Sequence, residues 1–579
     1  MNEILNRLMR DWPERHAPYR DDFATDAKSL RTWLNHLPLA NPAATSRQLL
    51  DALVAMNHFR IDPQERLDAL EILRAPVEQV VATLDRQILA ESLPLPLAKM
   101  QWTHMVRDFE RELASGYAQA LHDFCMPAGK VPFLKGRPVA TAATRALQHF
   151  GQCLTKVYML YHTPPAGIWL RLHDVFLAAS FLRIDDRGVA DPLLDGAEIT
   201  PRQAYAHAVL LALSNPYRYN QRDMADVFAL TRAWAPYVGI APGADTGEAF
   251  GVDTDADRGP GYVPGERAAA TRELLAIDPI PVQRMIEGHV HHLPPGMDLL
   301  TFRLKGGPNV QARHQVVERL IHGWSGSAER SHARLTAGHL LDSVIGLHGL
   351  HYVLSGNEDF DSFMRRVRGQ VISMSERDSM ASWANQSDIK PPVQSAKVLD
   401  QSLGGYHLIW EQGDQLRAKV GELVGLAPPA ETDEEQDWMV GVIRWIRVKQ
   451  NGAVDAGVEL LARRAQPVGV ASFDERGAVR APARGVLLMD IEATGDALTV
   501  LAPQAFDARQ DELELTRPPD PLDWEGEAMV VRLDGVRVVE MSGTFQRLVI
   551  GTEHARSGSL GETMLPMRAE FAEHATALG

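Results

Sequence analysis

"MVGVIRWIRVKQNGAVDAGVELL", residues 439–461, is the stretch on which the reading of this chain turns. Two apolar runs rich in β-branched residues, 439–448 and 454–461, flank the dipeptide Asn451-Gly452. A type I′ turn needs positive φ at both central positions, which Asn and Gly adopt readily, so the segment predicts a β-hairpin. The same texture extends on both sides. "YHLIW" (406–410) and "LVGLA" (423–427) precede it, and "GVLLMDIE" (485–492), "ALTVLAP" (497–503), "AMVVRLDGVRVVEM" (528–541) and "FQRLVIG" (545–551) follow. Short strands broken by turn residues predict a β-rich C-terminal third, enough for two small antiparallel barrels or one barrel with an extension.

The first 240 residues read differently. They repeat a capping residue, often a proline next, a Glu or Gln three positions on, and then apolar residues at helical spacing. Thr45 with Gln48, Asp62 with Pro63 and Glu65, and Thr200 with Pro201 and Gln203 are three such starts, the last leading into "AYAHAVLLAL" and stopping at Asn215-Pro216. No fixed repeat aligns, so an irregular helical packing region is expected rather than a solenoid. The glycine-, proline- and aspartate-rich run between 236 and 270 predicts a loop or hairpin, with helix resuming from about 282 to 325. The expected fold class is α+β and multidomain: an all-α region over 1–325, a β-barrel over 326–467 with a polar insertion at 356–394, a second β-rich module over 468–556, and a tail over 557–579.

Composition narrows the function classes. The chain has 579 residues, 45% hydrophobic and 23% charged, which fits several globular domains. Two cysteines, Cys125 and Cys153, exclude a disulfide framework and a four-cysteine zinc site, and fit a reducing, cytoplasmic setting. The N-terminus lacks the apolar core of a signal peptide, and no run approaches the ~18 apolar residues of a membrane span. A net charge of −16 argues against binding a nucleic-acid polymer, whose backbone is held by dense basic surfaces. A small anion remains compatible, because a few arginines act locally where distant exposed charges are screened.

Two motifs could hold such an anion. In "AERSHARLTAG" (328–338), Arg330 and Arg334 stand four apart; in an extended segment they face one side, about 13 Å apart. Each guanidinium can pair with a phosphate or with the O6/N7 edge of guanine. Four-residue arginine spacing also occurs elsewhere, as at Arg107/Arg111 and Arg183/Arg187, so the pair gains weight from its place before the strands and from a second motif downstream. "DQSLGG" (400–405) follows, read as Asp-x-Ser-x-x-Gly, and leads into "YHLIW". Asp400 can accept from guanine N1 and N2, Ser402 can reach a base or phosphate, and Gly405 permits a tight backbone before the strand. By itself such a sequence also suits a hairpin turn.

Taken together, Arg-x-x-x-Arg, Asp-x-Ser-x-x-Gly and the strands after them resemble the PilZ domain family, small β-barrels that bind the bacterial second messenger cyclic di-GMP. The strands "VGVIRWIRV" and "VDAGVELL" resemble a later pair of that barrel, and the resemblance covers roughly residues 325–465. It implies that Arg330 and Arg334 hold phosphate and guanine edges, that Asp400 and Ser402 meet a guanine, and that Gly405 shapes the turn. It implies a non-catalytic effector with cyclic di-GMP as ligand and no other cofactor, relaying the signal to an unknown protein partner through the helical region. A second reading is a helical interaction scaffold whose barrel has lost the ligand.

Other signals carry less. His289, His291 and His292 in "GHVHHLPPG" would be the centre of a metal-dependent hydrolase, but histidines two apart on a helix diverge and no acidic partner stands at ligand spacing. "DTDADRG" from Asp253 has Arg258 where a calcium loop needs glycine, and reads as an acidic turn. Trp169, His173 and Phe176 at helical spacing read as core. Walker, Gly-x-Ser-x-Gly and His-Glu-x-x-His motifs do not occur, so no enzyme is indicated.

Overall fold

The computed structural model describes residues 2–550 apart from 11, 20–23, 39, 90–94, 96, 244–248, 264–273, 292–298, 303–308, 325–332, 369–389, 412, 414–415, 431–435, 450, 490–497, 508–511 and 519–528. The chain divides into two compact units, Met1–Ser331 with Arg447–Asn451, and His332–Ile446 with Gly452–Gly579. No described helix is long and apolar enough to cross a membrane.

In the first unit the long helices Pro63–Leu89, Leu97–Cys125 and Gly136–Met159 pack in sequence, and Ile168–Phe181 and Pro201–Leu213 lean on the last of them. Their starts follow the capping chemistry. Thr200 and Gln203 form a reciprocal capping box, and Asp62 accepts from the amides of Gln64 and Glu65. One expected start is displaced: Asn41 caps the Pro42–His58 helix, and Thr45 lies inside it, its hydroxyl donating to the Pro38 carbonyl at 2.8 Å. Asparagine followed by proline at the first helical position is the stronger signal, since the missing amide costs nothing there.

The aromatic trio proves to be core with its histidine satisfied. His173 is fully buried, with Nδ1 2.9 Å from the Tyr205 hydroxyl and Nε2 3.1 Å from the Arg258 carbonyl. The failed calcium loop works as a cap: Asp257 accepts from the amides of Gly167, Trp169 and Leu170 at the start of the Ile168–Phe181 helix.

This region is helical, and among the described residues it also carries eight short strands. β1 (Val189–Asp191) and β2 (Ala197–Ile199) form a hairpin. The glycine-rich run is a small sheet of β3 (Gly239–Pro242), β4 (Ala249–Asp253), β5 (Gly261–Val263) and β6 (Leu274–Asp278), in the order β3-β6-β4-β5. The later stretch is two helices, Ile280–His291 and His314–Trp324, separated by the hairpin of β7 (Leu299–Phe302) and β8 (Val310–Arg313). His289 and His291 fall in the first of these helices, while His292 lies outside the described residues.

The second unit holds two antiparallel sheets of seven strands. The first is built from β9 (Leu335–Thr336), β10 (Leu340–Ile345), β11 (Gln394–Ser402), β12 (Gly405–Trp410), β13 (Leu423–Ala427), β14 (Met439–Val448) and β15 (Val454–Ala462). Its order is β10-β13-β14-β15-β12-β11-β9, and β10 also pairs with β11, which closes the barrel. Helices Gly346–Leu354 and Phe360–Arg368 lie between β10 and β11, so the expected polar insertion begins as a helix and then runs outside the described residues.

The second sheet comprises β16 (Ala465–Ala471), β17 (Ala483–Leu488), β18 (Leu498–Pro503), β19 (Glu512–Arg517), β20 (Met529–Asp534), β21 (Val536–Met541) and β22 (Phe545–Ile550). Barrel and second sheet share a core in which Leu423, Val440 and Val442 meet Val486, Leu501 and Phe545. Arg444 ties them at the edge, bonding both Glu459 and Glu540.

Candidate functional site

The barrel brings the two distant motifs together. β9 runs antiparallel to β11, with Thr336 opposite Asp400 and Leu335 opposite Gln401. That register sets Arg334, one residue before β9, against Asp400, where Nη1 donates to Oδ1 at 2.9 Å across a separation of 66 positions. Arg330 lies outside the described residues. The pairing is possible because β11 lies beside both β10 and β9, which fixes the register of Asp400 whatever the length of chain that joins the strands.

Three local features shape the Asp400 side. The β11–β12 register slips between Val398 and Asp400, and such a bulge re-aims the side chains beyond it. Ser402, half-buried, closes the ladder opposite Gly405, so the Asp-x-Ser-x-x-Gly motif is the end of one strand, a two-residue turn and the start of the next. Gly405 is required sterically, since a Cβ there would stand 2.0 Å from the Val458 carbonyl oxygen. Hairpin turn and ligand motif are therefore the same residues.

Beyond Asp400 the row continues through residues that neither motif contains. His407 on β12 lies opposite Asp400, its Nδ1 2.9 Å from Asp400 Oδ2 and its Nε2 2.6 Å from Asp455 Oδ1 on β15. The indole of Trp445 leans over the imidazole, ring centres 5.2 Å apart. Gly457 makes room for it, because a Cβ at 457 would meet Trp445 Nε1 at 1.9 Å. The result is a row running inward from the surface, Arg334, Asp400, His407 and the buried Asp455, with the Trp445 indole against the imidazole. Polar residues interrupting apolar strands, His407 in "YHLIW" and Asp455 in "VDAGVELL", were the signal available for the two missed members.

The row combines a guanidinium, two carboxylates, an imidazole and an indole face, groups able to pair with a phosphate or a base edge and to stack on a ring. Both Asp400 oxygens are engaged, one by Arg334 and one by His407. Arg334 is 45% exposed and Asp400 25%, so this ion pair is partly hydrated and open to exchange for another anion.

The first unit holds a second arginine–aspartate cluster of opposite character. Asp191 is fully buried and accepts from Arg74 Nη2 at 2.6 and 2.7 Å, from Arg145 Nη1 at 3.0 Å, from Gln148 at 3.2 Å and from the Leu193 amide at 3.0 Å. Burial works to raise its pKa, but the two guanidiniums outweigh burial and hold the carboxyl below its usual range. Nearby, Glu110 and His149 stand 2.7 Å apart. Burial pushes Glu110 up to about 7 and His149 down to about 4, so charge is disfavoured on both.

Comparison with known proteins agrees with this layout. Residues 28–244 match the family described as "Cyclic-di-GMP receptor FimW, N-terminal domain", and residues 249–397 and 370–467 match "Cyclic-di-GMP receptor FimW, middle PilZ domain". The middle-domain match begins at 249, well before the barrel, and so includes strands that fold within the first unit. The chain is 25% identical over 522 residues to the protein named Cyclic-di-GMP receptor FimW of Pseudomonas aeruginosa, covering 82% of this chain and 84% of that one. No solved structure matches.

Proposed function

Because this chain belongs to the FimW family, with its N-terminal domain followed by its middle PilZ domain, we propose that it is a bacterial effector of cyclic di-GMP. The ligand takes the Arg334–Asp400 surface. In this reading Arg334 leaves Asp400 for a ligand phosphate or guanine edge, and Arg330 makes the second such contact. Asp400, released from Arg334, accepts from guanine N1 and N2, while His407 keeps its other oxygen fixed. Ser402 supplies a hydroxyl, and Gly405 keeps the turn tight enough to present it.

The observation that carries the reading is the strand register that sets Arg334 against Asp400 across a separation of 66 positions. Without it the two motifs would be separate charges. No reaction is catalysed; the protein is a cytoplasmic receptor that passes ligand occupancy to a protein partner through its helical region. Such coupling requires the ligand to favour one of two states, and the exchange of Arg334 from Asp400 to ligand is the local event that differs between them.

Isothermal calorimetry with cyclic di-GMP on the full chain and on the Arg330→Ala/Arg334→Ala double variant tests the assignment. Saturable heat from the wild type that disappears in the variant is expected. Equal binding by both proteins would place the ligand elsewhere.

A further inference from the structure

The loop between the Leu97–Cys125 and Gly136–Met159 helices does something a folding loop has no reason to do. Its amide at Lys135 bonds the Pro132 carbonyl at 3.1 Å, so Phe133 and Leu134 are the two central residues of a turn. Leu134 has φ of 61° at the second central position, where glycine or asparagine is the unstrained choice. Both side chains point outward: Phe133 is 90% exposed and Leu134 84%. The turn thus spends backbone strain to display two large apolar groups that pack on nothing.

Cations surround this tip in a chain whose net charge is −16. Lys130 and Arg137 are exposed on either side, and Lys135 lies between them, its ammonium donating to Gln64 at 3.0 Å. Arg187 arrives from another loop, so close that a Cβ on Gly136 would meet its Nη1 at 2.7 Å. Lys130, Arg137 and Arg187 make no ion pair among the described residues, and the acids beside Arg187, Asp185 and Asp186, are taken up by Arg202.

We propose that this tip docks on an anionic lipid surface, with Phe133 and Leu134 entering the interface and Lys130, Arg137 and Arg187 meeting the headgroup phosphates. A convex apolar point ringed by unpaired cations suits a bilayer, which needs no shape-matched pocket and carries the complementary charge. A protein groove would have to supply an acidic rim around a deep apolar slot. The contact is peripheral and reversible, and it is independent of the barrel's ligand.

The test is co-sedimentation of the full chain with vesicles of phosphatidylcholine alone and of phosphatidylcholine with phosphatidylglycerol. The wild type should partition at least about tenfold more strongly onto the anionic vesicles at low salt, and the preference should fade at high salt. Phe133→Ser/Leu134→Gly should lose at least about tenfold of that binding while keeping its thermal stability, because glycine relieves the positive φ. Lys130→Glu/Arg137→Glu/Arg187→Glu should abolish the anionic preference. A wild type that ignores lipid charge, or that binds no vesicle, overturns the proposal, the latter in favour of a protein groove; so does an apolar-tip variant that binds as well as wild type. A cyclic di-GMP titration of the same proteins reads the barrel separately, so either idea can fail alone.

Discussion

The arginine–aspartate clusters at Asp191 and at Asp400 are built from the same groups and differ in how far they are buried. Asp191 has no exposed surface and five bonds from four residues, whereas Asp400 is a quarter exposed and gives one oxygen to Arg334 and the other to His407. Around Asp191 the main cross-link is itself held in place: Arg145 also bonds Glu71, Gln148 and the Ala190 carbonyl. Around Asp400 the arginine sits just before a two-residue edge strand and makes one side-chain bond. Burial and bond number, not residue type, decide whether such a pair is locked into the fold or left open to exchange.

The largest effect that would break this contrast is Asp191→Ala. It strands Arg74 and Arg145 in the interior without their acceptor, and should cost about 3–5 kcal/mol in chemical denaturation. A loss under about 1 kcal/mol would mean that the cluster is hydrated and the contrast false. Next comes Arg334→Ala, expected to weaken cyclic di-GMP binding about 10- to 100-fold in calorimetry while stability moves by less than about 1 kcal/mol. His407→Phe should follow with a smaller loss of affinity. It keeps an aromatic ring under Trp445 and removes the group that fixes Asp400.

A pH experiment sharpens the same comparison. Glu422 is half-buried, and desolvation of its carboxyl raises the pKa to about 7 from the ordinary 4.5. A raised carboxyl pKa contributes stability below about pH 4.5, a contribution that fades as pH climbs through 7, because the folded state holds the proton more tightly. Glu422→Gln should flatten that part of the stability profile of the second unit, followed by denaturation at several pH values; an unchanged slope would locate the proton elsewhere. The smallest expected effect is Asp400→Ala on folding, under about 1 kcal/mol.

Much of this was legible in the residues. The hairpin at Asn451-Gly452, the strands Leu423–Ala427 and Met439–Val448, and the capping box at Thr200 follow from turn chemistry and period alone. β9, β10, β11, β16 and β19 do not, for identifiable reasons. β11 reads "QSAKVLDQS", mostly polar because it borders the exposed site, and β16 carries Pro467, tolerated because the β19 ladder begins only at Gly469. In the helical unit, the sheet of β3 to β6 falls largely in the run read as a loop or hairpin, while the short hairpins β1–β2 and β7–β8 lie between helices and were not expected.

The site was half legible. Arg334, Asp400, Ser402 and Gly405 stand out as motif positions, but their meeting is a matter of strand register, which the long insertion conceals. His407, Asp455 and Trp445 come from three strands and share no spacing. The buried cluster at Asp191 draws on residues 117 positions apart and leaves no trace in the sequence.

A thermodynamic cycle in cyclic di-GMP titrations probes the convergence itself. Wild type, Arg334→Ala, Asp400→Ala and the double variant would be measured by calorimetry under one buffer. If both side chains grip one guest, each single change weakens binding and the double variant loses clearly less than the two losses combined. Unaltered affinity in either single variant, or strictly additive losses, would contradict a shared site.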